Sequence, residues 1–118
     1  MRHPILILQT FALLGTLFIF SSDPMPYSGF GNNLDKPTRH TIKISGMKFI
    51  PNELTVKVGD TVVWVNKDFY DHDVTDEKNK TWSSGPFGQN KSWSKVITTD
   101  EQYFCSLHVV MKGTIKVE

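Results

Sequence analysis

The sequence predicts an all-β fold, a Greek-key β-sandwich of about seven to eight short strands preceded by an N-terminal hydrophobic segment. Three observations carry this. Apolar and polar residues alternate in short segments from Thr41 onward, no long helical period competes, and no strand-helix-strand spacing occurs. Residues 41–118 are the expected domain.

Ile42 and Ile44 alternate with Lys43 and Ser45, and Leu54, Val56 and Val58 alternate with Thr55 and Lys57, so each segment offers one face to a core. Gly59-Asp60 supplies a tight turn, either within a hairpin or as a corner between layers. Thr61-Val-Val-Trp-Val65 is apolar on both faces, which predicts a central strand. Further strands are expected at His72–Thr75, Lys80–Ser83, Ser92–Ile97, Gln102–Cys105 and Thr114–Val117, separated by turns rich in Gly, Pro and Asn. A domain of this size buries only about 60 to 65% of its unfolded surface, so a metal joining distant segments adds stability.

Two segments precede the domain. Residues 1–20 open with Arg2, followed by an apolar run from Ile5 to Phe20 broken only by Gln9, Thr10, Gly15 and Thr16, the pattern of an export signal. Sixteen helical residues span roughly 24 Å, short of the ~30 Å hydrocarbon core. An uncleaved membrane anchor through residues 5–20 is the alternative, because no small-residue cleavage site stands out. Either version places the domain in the periplasm or otherwise outside the cytoplasm. Residues 21–40, with Pro24, Pro26, Pro37, Gly29 and Gly31, read as a flexible linker.

Residues 41–118 hold ten Lys and no Arg against ten Asp or Glu, and this balance argues against a nucleic-acid partner. Asp68, Asp71, Asp73, Asp76 and Glu77 crowd around His72 and read as a solvated acidic loop rather than a docking patch. If His72 points inward from a strand, Asp71 and Asp73 point outward.

Cys105-Ser-Leu-His-Val-Val-Met111 places a thiol, an imidazole and a thioether three residues apart. Soft sulfur donors favour Cu(I) and imidazole suits both copper oxidation states, so this donor set points to copper. An unpaired cysteine in an oxidising compartment is also a liability that a metal bond removes. One more histidine is needed. His3 and His40 lie in segments that read as membranous or unfolded, which leaves His72. A structural zinc site has little use for a thioether, a dinuclear copper centre needs a second cysteine, and a Cys105–His108 hydrolase dyad lacks an orienting carboxylate.

Phe49-Ile-Pro51, Leu54 to Asn66, His72 and Cys105 to Val117 together resemble a small type 1 copper protein, a cupredoxin of the amicyanin, pseudoazurin and plastocyanin group, over roughly residues 42–118. The two residues between His108 and Met111 match the short amicyanin-type loop. The resemblance implies His72, Cys105 and His108 as close trigonal ligands of one copper ion and Met111 as a weak axial ligand. It also implies Pro before the first histidine and Asn after it, where this chain has Asp71 and Asp73. The Asn commonly tethers the cysteine loop, so Asp73 is expected to make that connection differently, with Ser106.

With all four positions filled by side chains, no site is open to a substrate. The expected function is a monomeric electron carrier, not an enzyme, working between redox protein partners such as a cytochrome or copper enzyme. His108 is the expected electron port, beside Val109 and Val110. The competing expectation is a copper carrier or storage protein that delivers the ion without redox cycling.

Overall fold

The computed structural model describes residues 35–118 together with Gly15. The expected signal or anchor over residues 1–20, Gly15 apart, and residues 21–34 of the linker expected over 21–40 lie outside the described residues. Eight strands and no helix are described: β1 (Arg39–Ile44), β2 (Phe49–Ile50), β3 (Glu53–Val56), β4 (Thr61–Asn66), β5 (Thr75–Asp76), β6 (Ser92–Val96), β7 (Glu101–Phe104) and β8 (Lys112–Val117). They form two four-stranded mixed sheets, ordered β2-β1-β4-β6 and β3-β8-β7-β5. This is the expected all-β sandwich.

The central position expected for residues 61–65 is borne out. β4 lies between β1, which it pairs in parallel, and β6, which it pairs antiparallel. Three successive residues, Val62, Val63 and Trp64, are buried, so both faces of β4 are covered. Ile42, Ile44, Phe49, Val62 and Trp64 from one sheet meet Val56, Tyr103 and Ile115 from the other. Burying each such side chain contributes roughly 1.5 to 3 kcal/mol. Gly59 takes φ +92° and turns the chain from β3 in one sheet to β4 in the other, so the Gly59-Asp60 turn is a corner between layers.

β1 starts at Arg39, two residues before the expected boundary, and His40, expected in an unfolded linker, is a strand residue paired with Val62. Asp60 explains the extension. Its carboxylate accepts Thr38 N–H at 2.7 Å and Lys57 N–H at 3.0 Å, and His40 Nε2 lies 2.8 Å from it. The strand expected over Lys80–Ser83 is replaced by a turn with a single bridge from Ser83 to Thr75. Here the Asp76 carboxylate accepts the N–H groups of Lys78, Asn79 and Thr81, curling the chain before it can pair.

β8 begins at Lys112, and Gly113 sits opposite Tyr103 on β7. The Tyr103 ring lies across the glycine, occupying the space that any side chain would need: a Cβ at residue 113 would come within 2.2 Å of Tyr103 Cζ. Gly113→Ala is therefore expected to cost about 3 kcal/mol or more, read as a lower urea midpoint; unchanged stability would show the ring free to move. The bonds donated by Thr38 N–H, then by His40 and Lys57 N–H, lower the Asp60 pKa from 3.8 to about 2. Their contribution is complete above 3.8 and is lost as pH falls through about 2. Asp60→Asn should accordingly flatten the acid limb of a stability-pH curve, which an unaltered limb would contradict.

Candidate metal centre

Beyond β4 the chain must cross one end of the sandwich, and Asn66, fully buried, organises the crossing. Its Nδ2 donates to Tyr70 O at 2.8 Å and Phe87 O at 3.0 Å, and its Oδ1 accepts Asp68 N–H at 2.9 Å. His72 then exchanges backbone bonds with Phe87 and is itself fully buried. On the other side of the site, β7 ends and Cys105 N–H donates to Met111 O at 3.0 Å, while Met111 N–H donates to His108 O at 2.9 Å. These two bonds close residues 105–111 into a compact loop.

Three of the four expected metal-binding residues, His72, Cys105 and His108, converge. Cys105 Sγ lies 3.8 Å from His72 Nδ1 and 3.8 Å from His108 Nδ1, and the two Nδ1 atoms are 3.1 Å apart. A point equidistant from the three is about 2 Å from each, the length of a first-row metal's bonds to imidazole and thiolate. The residues therefore fit a metal ion. Met111 is buried in the same loop, 2% exposed.

Asp73 does not point outward. It is buried, because residues 71–74 make an isolated bridge rather than a strand and strand alternation does not apply. Its Oδ1 accepts Ser106 N–H at 2.7 Å, its Oδ2 accepts Ser106 Oγ–H, and its own N–H donates to Cys105 Sγ at 3.4 Å. The expected connection to Ser106 is thus present. Asp71 is exposed, as expected.

Asp68 was not recognisable as part of the site. Gly46 and Met47 both adopt φ +60° and aim successive N–H groups at its carboxylate, at 2.7 and 2.9 Å, and His72 Nε2–H donates to it at 3.0 Å. Burial opposes the charge, but these donated bonds outweigh it and keep the Asp68 pKa below the usual carboxylate value. With Nδ1 committed to the triangle, a carboxylate on Nε2 fixes the ring's tautomer and orientation. Its place four residues before His72 is the one sequence signal available. The solvated acidic loop is thereby corrected: Asp68, Asp73 and Asp76 all bind backbone N–H groups.

His108 is half-buried and faces outward, with the Tyr70 ring 6.4 Å away. Around it Leu107, Val109, Val110, Phe69 and Tyr70 are exposed, Phe69 to 87% and Val110 to 83%.

A two-sheet sandwich bearing two imidazole nitrogens and one sulfur in a compact triangle carries the donor set that suits copper. Comparison with known proteins places it further: the family of copper binding proteins described as plastocyanin/azurin matches residues 37–118, and the chain belongs to that family. It is 34% identical to amicyanin from Paracoccus versutus and 31% identical to amicyanin from Paracoccus denitrificans, each over 83 residues and 65% of this chain. The chain spans 63% of the length of these relatives. Among solved structures, an oxidised amicyanin variant superposes with a TM-score of 0.64 at 29% identity, covering 68% of this chain and 82% of that one. A copper-containing nitrite reductase from Thermus scotoductus gives 0.63 at 27% identity, covering 70% of this chain and 23% of the larger protein.

Asp68→Asn, which weakens the hold on His72, should lower copper affinity about 10- to 100-fold in a competition titration with a chromogenic chelator. An unchanged affinity would show that Asp68 serves only the turn at Gly46.

Proposed function

We propose that this protein is a one-electron carrier in which His72, Cys105 and His108 are the close copper ligands and Met111 the weak axial one. The observation that carries this reading is the compact triangle of two Nδ1 atoms and one sulfur, with Met111 buried in the same loop. Bound copper supplies one-electron cycling between Cu(I) and Cu(II).

The chain's own residues supply rigidity and access. Asp68 fixes the His72 ring, and Asp73 ties the His72 segment to the cysteine loop, so the donors are pre-positioned for both oxidation states. With four side chains as ligands no position is left for a substrate, which favours a carrier over an enzyme. Among the three triangle residues His72 and Cys105 are buried, so His108 is the port. The exposed side chains around it form an apolar rim suited to brief docking with a redox protein, at the low end of interface sizes. The resemblance to amicyanins and the signal-like pattern of residues 1–20 favour a site of action outside the cytoplasm.

The copper-loaded protein should show an intense visible thiolate-to-copper band that bleaches reversibly on reduction. Cys105→Ser should abolish the band while leaving the far-ultraviolet circular dichroism intact. A colourless protein that readily surrenders copper would instead indicate ion delivery, and colour that survives Cys105→Ser would mean a different ligand set.

A further inference from the structure

We propose that Asp73 biases the copper toward its oxidised state, acting as a fixed negative charge behind the cysteine loop; the inference rests on the carrier reading above. Asp73 is only 3% exposed. Its carboxylate is surrounded by donors: Ser106 N–H at 2.7 Å, Ser106 Oγ–H, and Thr75 Oγ1–H at 3.3 Å. All three contacts are donated to its oxygens. Among the described residues no Lys, Arg or His forms an ion pair with it.

The same residue reaches both halves of the metal site. It follows His72 directly, its N–H meets the Cys105 sulfur at 3.4 Å, and its carboxylate grips the residue after Cys105. Oxidation of Cu(I) to Cu(II) adds one positive charge to the site. An unpaired negative charge nearby, shielded from water, stabilises that added charge much more than one in solvent does. Asp71 provides the contrast: it stands on the other side of His72 but is exposed. Asp68 also touches His72, and it stays unchanged in the comparison below.

Asp73→Asn keeps an oxygen for Ser106 N–H and removes the charge. In a redox titration of the copper-loaded protein, followed at the thiolate-to-copper band, it should raise the reduced-to-oxidised ratio at a given applied potential about tenfold, equivalent to about 59 mV. Asp71→Asn should shift the ratio far less. Ser106→Ala breaks part of the tether but retains the charge, so it should leave the ratio at or below that of the unaltered protein. Equal shifts from Asp73→Asn and Asp71→Asn would overturn the proposal, as would a rise in Ser106→Ala matching that of Asp73→Asn. If Asp73→Asn does not fold, Asp73→Ser, likewise neutral, supplies the same comparison. An intense band with an unmoved potential in the neutral variant defeats this inference alone; absence of the band from the unaltered protein defeats the carrier reading and this inference with it.

Discussion

Two imidazole nitrogens and a sulfur, all electron-rich, face one another within 3.8 Å, a grouping with no intrinsic attraction among its members. Only a frame that fixes each donor independently can maintain it. The frame closes at one place, where Asp73 bonds the Cys105 sulfur and both donor groups of Ser106, joining residues more than thirty apart in sequence. His72 owes its position to Asn66 and Asp68 on one side of that junction. His108 and Met111 owe theirs to the backbone bonds that start at Cys105 on the other. The sandwich beneath, with β4 ending at Asn66 and β7 ending just before Cys105, sets the two sides at a fixed separation.

The carboxylates divide the work. Asp60, Asp68 and Asp76 each gather two or three N–H groups where the chain leaves regular pairing, doing in loops what a ladder does in a sheet. Asp73 differs because two of its donors belong to Ser106 in the loop that follows β7, so it ties that loop to the His72 segment.

The large elements were legible in the sequence because they rest on periodicity. The alternation of Leu54 and Val56 and the apolar stretch Val62–Val65 each has one economical solution, and the structure adopts it; the spacing of Cys105 and His108 lets both meet His72 in one triangle. Finer features were hidden because an aspartate that binds backbone amides and one that faces water look alike in a sequence. The acidic run around His72 looks solvated for that reason, although Asp68, Asp73 and Asp76 bind backbone amides. His40 was missed because Asp60, twenty residues away, extends β1 beyond the point where alternation becomes visible. Residues 72–74 failed the alternation rule through having only a bridge at His72, too little pairing to impose a pleat.

The three tryptophans touch in a row: Trp82 stacks on Trp93 at 5.9 Å between ring centroids, and Trp93 meets Trp64 at 5.5 Å. Trp64 and Trp93 are partners across β4 and β6, in the sheet that does not contain β7, the strand leading to Cys105. Intrinsic fluorescence therefore reports on the packed sandwich, and visible colour on the loops at its end. Loss of both signals at one denaturant concentration would reveal a single cooperative unit, whereas separate losses would reveal a sheet that outlives its metal loop.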